Sequence, residues 1–134
     1  MKQDTLLLIK PNATKKHVIG GILKMIEDNG FDIKKLKMFR MNNELADKFY
    51  AEHIGKSFFE TLKSFMLSGD IVGAVLTRED AIAKLRELVG NTNPEKAALG
   101  TIRFLFADSF TENAVHASDS PESAKREIGL IFPA

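Results

Sequence analysis

Hydrophobic positions change period several times along this chain, and each change marks an element. "TLLLIK" (5–10) is an unbroken apolar run closed by Pro11, the pattern of a strand buried on both faces. From Val18 the apolar residues Val18, Ile19, Ile22, Leu23 and Ile26 recur at helical spacing, with Asn12 or Thr14 as caps and Gly30 at a left-handed stop. "FDIKKLKMFRM" alternates at Phe31 and Ile33, slips at Lys34 and Lys35, and resumes at Leu36 and Met38; this predicts a long strand with a bulge at the lysine pair. Two short helices follow. "NNELADKFYAEH" opens at an Asn cap, and "SFFETLKSFMLSG" has Ser57 and Glu60 at capping-box spacing and ends at Gly69. "DIVGAVLT" is another apolar strand, after which Thr77 with Asp80 opens a helix, "REDAIAKLRELV", that Gly90 closes. "GNTNPEKAALG" carries loop residues, "TIRFLFA" reads as a strand, and residues 121–130 form the last helix.

Strand, helix, strand, helices, strand, helix, strand, helix is not the regular alternation of a fully parallel sheet. It predicts an α+β fold, a ferredoxin-like βαββαβ sandwich whose four-stranded antiparallel sheet is covered by helices on one face. With 134 residues and no repeat or linker, one domain over 1–134 is expected.

Charge and composition narrow the function classes. Nineteen Lys and Arg against 18 Asp and Glu leave a formal charge of +1, which argues against non-specific attraction to nucleic acid or an anionic membrane. No apolar run approaches the ~20 residues of a membrane span. "MKQDTLLLIKPN" has too short an apolar stretch to act as a signal peptide. Zero cysteines exclude disulfides, thiol catalysis and thiolate metal sites. A cytoplasmic protein with no membrane and no specific nucleic-acid partner is expected.

Common catalytic motifs are missing. "VIGGIL" lacks the spacing of a phosphate-binding P-loop, no histidine pair has metal-ligand spacing, and there is no serine elbow. What remains are dispersed polar residues at element ends: Lys10, Arg86, Thr92, Arg103, Asn113 and His116. Each has two readings. Lys10 is a solvated strand end or a cation entering a cleft. Arg86 complements a helix C-terminus or binds an anion. Arg103, between Ile102 and Phe104, makes a structural ion pair or a phosphate contact. Phe58 falls partly off the Phe59, Leu62, Phe65, Met66 stripe; it is a core residue or a stacking platform for a nucleobase. His116 stands before Ser118, Asp119, Ser120 and a helix start at Pro121, with Glu127 able to reach back through Ser118 and orient one ring nitrogen. An imidazole held by a carboxylate keeps its other nitrogen unprotonated and nucleophilic.

"NAVHASDSPESAKREI" resembles the active-site signature of nucleoside diphosphate kinases. "LLLIKPNATKKHVIGGIL", "FYAEHIGKSFFETLKSFMLSGDIVGAVL" and "LVGNTNPEKAALGTIRF" resemble that family's first strand and helix, helical hairpin with its next strand, and nucleotide-binding loop, so the likeness runs end to end. It implies transfer of a γ-phosphoryl group from a nucleoside triphosphate to His116, then to a nucleoside diphosphate, by a ping-pong mechanism with broad base tolerance. Lys10 and Asn113 match the residues that hold the sugar hydroxyls, with Lys10 also near the transferring phosphate. Arg86, Thr92 and Arg103 match phosphate ligands. Phe58 matches the base-stacking aromatic, with Phe110 and Leu62 lining the same slot. Tyr50 matches a tyrosine beside the histidine, Ser118 and Glu127 the pair that orients it, and His53 a residue near the phosphates in some members. Mg²⁺ is implied as the cofactor, carried on the nucleotide phosphates and not in a protein cage, with Asp119 in reach through water. A homo-oligomer is implied, hexamer or tetramer, the hexamer favoured.

Three positions depart from the family pattern: Phe104 stands where Gly is common, Ala117 where Gly is more usual, and Ser57 where Pro is common. None removes a side chain with an implied role. The competing readings are a nucleotide-binding regulatory module and a phosphohistidine relay to a protein partner; the full set of matching nucleotide ligands favours the enzyme.

Overall fold

The computed structural model describes residues 2–133. Four strands, β1 (Lys2–Ile9), β2 (Asp32–Phe39), β3 (Ile71–Glu79) and β4 (Val115–Ala117), form one sheet in the order β2-β3-β1-β4, and every neighbouring pair is antiparallel. Helices α1 (Pro11–Lys15) and α2 (Ile19–Asp28) follow β1. Helices α3 (Asn43–Phe49) and α4 (Phe59–Leu67) lie between β2 and β3. Helices α5 (Ala81–Val89) and α6 (Ile102–Phe106) lead to β4, and α7 (Pro121–Ile131) follows it. This is the expected ferredoxin-like α+β sandwich.

The apolar run of β1 explains why helices cover both faces of the sheet and not one. Leu7 and Ile9 enter a core with Ile22, Ile26, Leu85 and Val89 from α2 and α5. Leu6 and Leu8 point the other way, against Ala46, Phe49, Met66 and Ile131 from α3, α4 and α7. All four β1 side chains are fully buried, and each such burial contributes about 1.5–3 kcal/mol. The predicted one-sided sheet is thus corrected by β1 itself, whose period-2 faces are both apolar.

Local signals mostly act as expected. The β2–β3 register shifts between Ile33 and Lys35, at the lysine pair. Asn42 caps α3 by accepting from the Leu45 amide at 2.8 Å, and Gly30 takes φ 83° after α2. Ser57, however, caps nothing: α4 starts at Phe59 after a turn closed by the Phe59 amide on the Lys56 carbonyl. No side chain of α1 caps α2. Asp80 does not cap α5 with its side chain either; Gln3 Oε1 from β1 accepts from the Ile82 amide at 2.9 Å.

"TIRFLFA" is the clearest correction. It forms α6 and not a strand, because Thr101 N-caps it, its hydroxyl accepting from the Phe104 amide at 3.3 Å. The helix buries Ile102 and Arg103 and leaves Phe104 and Leu105 about half exposed.

Candidate active site

His116 lies at the centre of β4, opposite Leu8 of β1. Ala114, just before the strand, holds φ 76°, a conformation that costs a non-glycine residue about 1–2 kcal/mol. The Lys10 amide fixes it by donating to the Ala114 carbonyl at 2.8 Å. That turn sets which way His116 faces.

Nε2 of His116 is 2.8 Å from Glu127 Oε1, and the same oxygen accepts from the Ser118 hydroxyl at 2.7 Å. Glu127 therefore orients the ring directly, with Ser118 bracing the carboxylate from a buried position and not relaying it. Burial pushes the Glu127 carboxyl up, but the His116 hydrogen bond and charge, the Ser118 hydroxyl and Arg126 outweigh it and hold the group below its ordinary value. An ionised carboxylate has no proton to give, so Nε2 is the donor, and in the neutral ring the lone pair is then on Nδ1. The ring edge of Phe49 packs against the imidazole, centroids 5.1 Å apart.

Around this histidine is a cleft of about 280 Å³. Lys10, Tyr50, Phe58, Arg86, Thr92, Arg103, Asn113, His116 and Glu127 all line it, as do His53, Leu62, Phe110 and Asp119. Ser118 touches it only through Glu127. Residues 10 to 127 in sequence are thereby brought to one site.

Two of the cations are buried with no carboxylate partner among the described residues. Lys10 is 6% exposed and donates to Asn113 Oδ1 at 2.9 Å. Burial, with the charge of Arg103 added, lowers its amine to about 7. Arg103 is 8% exposed and donates to the carbonyls of Gly90 at 3.0 Å and Val115 at 2.9 Å, while its Nε has no partner among the described residues. Burial, then Arg86, brings its guanidinium down to about 10. Arg86 is exposed and donates to the Ala117 carbonyl at 3.2 Å. Lys10, Arg86 and Arg103 therefore share one cleft, which Arg126 also lines, and carbonyls and an amide accept from them there. Such a group disfavours its own charge and favours an anion.

Tyr50 is buried, its hydroxyl without a partner among the described residues, and burial, then Glu127, raise its pKa, so the phenol is neutral. It stacks on His53, whose buried Nδ1 likewise has no partner among the described residues. Phe58 and Phe110 stay 47% and 64% exposed at the cleft. Among the described residues no group of three His, Asp or Glu side chains is placed to hold a metal. Asp119 is an exposed carboxylate in the cleft; the Ser123 hydrogen bond leads the effects that hold it ionised, burial opposing and Arg86 adding.

Two residues of the site escape a reading of the sequence alone. Phe49 sits one position before Tyr50 on a helix whose apolar face gave no hint of the histidine. Arg126, beside Glu127, donates to the Lys48 and Phe49 carbonyls and places Nη2 3.7 Å from Glu127 Oε2, tying α7 to α3. The adjacent Arg126 and Glu127 were the available signal for the latter.

Comparison with known proteins gives one result. The family model described as nucleoside diphosphate kinase matches residues 3–134. A nucleoside diphosphate kinase of Actinobacillus pleuropneumoniae serotype 5b is 55% identical over 132 residues, 98% of this chain and 96% of that one. Among solved structures, the Aquifex aeolicus nucleoside diphosphate kinase superposes with a TM-score of 0.96 at 46% identity, covering 100% of this chain and 97% of its own. A nucleoside diphosphate kinase from Halobacterium salinarum in complex with CDP gives 0.96 at 34% identity, covering 100% and 90%. A half-buried imidazole held by a carboxylate, in a cleft lined by Lys10, Arg86, Arg103 and Arg126, thus sits in a chain that belongs to the nucleoside diphosphate kinase family of phosphotransferases.

Proposed function

We propose that this chain, acting as a single domain over residues 1–134, transfers the γ-phosphoryl group of a nucleoside triphosphate to Nδ1 of His116 and from there to a nucleoside diphosphate. The observation that carries this reading is the pairing of His116 Nε2 with Glu127 at 2.8 Å. It keeps the ring proton on Nε2, so Nδ1 attacks without a proton transfer. The Nδ1–P bond forms as the bond from phosphorus to the bridging oxygen breaks, and the nucleoside diphosphate leaves with that electron pair. The positive charge gained by the ring is stabilised by Glu127. An acceptor nucleoside diphosphate then reverses the step.

Phosphoryl transfer demands positioning and neutralisation of spread negative charge. Lys10, Arg86 and Arg103 supply the cations, and Thr92 a hydroxyl. Phosphate oxygens restore to Lys10 the favourable field that burial removes. Lys10 and Asn113 meet the sugar hydroxyls, and Tyr50, with its unpartnered hydroxyl, borders the transferred group. Phe58 stacks on the base, with Phe110 and Leu62 beside it; stacking on a ring face, which every base offers, predicts broad base tolerance. Mg²⁺ would accompany the nucleotide on its phosphates and offset their charge, with Asp119 the exposed carboxylate of the cleft in its reach.

We place the enzyme in the cytoplasm, a reading that zero cysteines fit. It acts as a homo-oligomer, hexamer before tetramer: Leu36 and Met38 on the edge strand β2 are half exposed, apolar surface of the kind a subunit contact covers. Initial-rate kinetics with ATP and GDP test the mechanism. Parallel double-reciprocal lines are expected; intersecting lines, indicating direct transfer in a ternary complex, would overturn it.

A further inference from the structure

The loop over residues 107–113 forms one wall of the cleft, contributing Phe110, Thr111 and Asn113. It closes on itself: the Asp108 amide donates to the Glu112 carbonyl at 2.8 Å, and the Glu112 amide to the Ser109 hydroxyl at 3.0 Å. What fixes it to the rest of the molecule is a side chain from the first turn of α1. Asn12, only 6% exposed, donates from Nδ2 to Asp108 Oδ2 at 2.8 Å and to the Glu112 carbonyl at 2.9 Å. Lys16 grips the same carboxylate at 3.0 Å and the Phe106 carbonyl at 2.6 Å.

Asn12 is an odd choice for stability alone. Its Oδ1 is buried with no partner among the described residues, and an apolar residue of the same size would avoid that loss. Turning the amide over would set Oδ1 against the Asp108 carboxylate and the Glu112 carbonyl, so the orientation is forced. The side chain serves the loop at both of the loop's ends, Asp108 and Glu112, and Asn113, next to the latter, accepts from Lys10.

We infer that Asn12 is a positioning residue for nucleotide binding, a latch that orders the wall carrying Phe110 and Asn113 before the ligand arrives. The inference rests on the nucleotide-kinase reading of the cleft. A pre-ordered wall spares the ligand the entropy of ordering seven residues, so the latch acts on affinity and not on the transfer step.

The test is ADP affinity by calorimetry on the full chain, with amide hydrogen exchange of the loop, for wild type, N12L, N12D and N12D/D108N. N12D sets an acceptor against Asp108 and the Glu112 carbonyl; ADP affinity falls about tenfold and the Asp108 amide exchanges faster in free protein. In N12D/D108N a donor faces an acceptor again at position 108, and part of the affinity returns, the Glu112 carbonyl still meeting an acceptor; a merely structural defect would show no such recovery. N12L, which removes both donated hydrogen bonds, weakens ADP binding while saturated phosphohistidine formation stays within about twofold. Unchanged affinity in N12L and N12D, or no recovery with D108N, would overturn the latch. Because the readout is binding, wild-type protein that binds ADP without forming phosphohistidine would overturn the kinase reading and leave this comparison standing.

Discussion

Replacing Lys10 by methionine separates what the buried amine does for the fold from what it does for the site. Burial, and then Arg103, bring its pKa from 10.5 to about 7. The folded state thus gives up a proton that the unfolded chain keeps. Between pH 7 and 10.5 the unfolded state binds more protons, so wild-type stability rises with pH relative to K10M and is lowest, by this effect, below pH 7. The full slope is ~1.4 kcal/mol per pH unit, and at pH 7 about half of it applies; from pH 7 to 9 wild type gains about 2 kcal/mol on K10M. Urea melts of both proteins at the two pH values read that change. The constant loss of the hydrogen bond to Asn113 cancels in the difference. A gap between the two proteins that does not change with pH would refute the reasoning, since Lys10 would then be charged in the free enzyme. The same logic reaches the ligand: phosphate draws the proton back, so nucleotide binding at pH 8 takes up ~0.9 proton per site, measurable by calorimetry in two buffers.

Removing the carboxylate that holds the histidine, as E127A, leaves His116 Nε2 and the Ser118 hydroxyl without an acceptor; rapid-quench phosphorylation by ATP slows on the order of 10²-fold. E127Q, whose amide oxygen still accepts, retains more activity, and an E127A rate equal to wild type would contradict the role. Gly90 has φ 90°, and a Cβ there would lie 2.5 Å from Thr101 Oγ1. G90A is therefore expected to lose about 2–4 kcal/mol in urea denaturation, and to disturb Arg103, which donates to the Gly90 carbonyl; a loss under ~0.5 kcal/mol would show that the turn relaxes freely.

What the sequence reveals depends on the range of the forces involved. The β1 run, the β2 bulge and the start of α7 at Pro121 were legible because each is written in a short window. α6 was not: "TIRFLFA" is β-branched and aromatic, and only a threonine cap and the packing of Ile102 and Arg103 make it helical. The second covered face of the sheet was implicit in Leu6 and Leu8, yet which helices cover it depends on contacts over more than 100 residues. At the site, the histidine and its carboxylate were visible through their spacing and a family resemblance. That Glu127 bonds the ring itself, that Arg103 is buried, and that Asn12 ties down the loop depend on distances that no spacing encodes.

Intact-mass measurement of the protein after ATP and Mg²⁺, beside H116A, followed by GDP, addresses the phosphohistidine itself. Wild type alone should gain one acid-labile phosphate, and GDP should remove it as GTP. A phosphate that appears on H116A as well, or one on wild type that GDP leaves in place, would contradict His116 as the carrier between nucleotides.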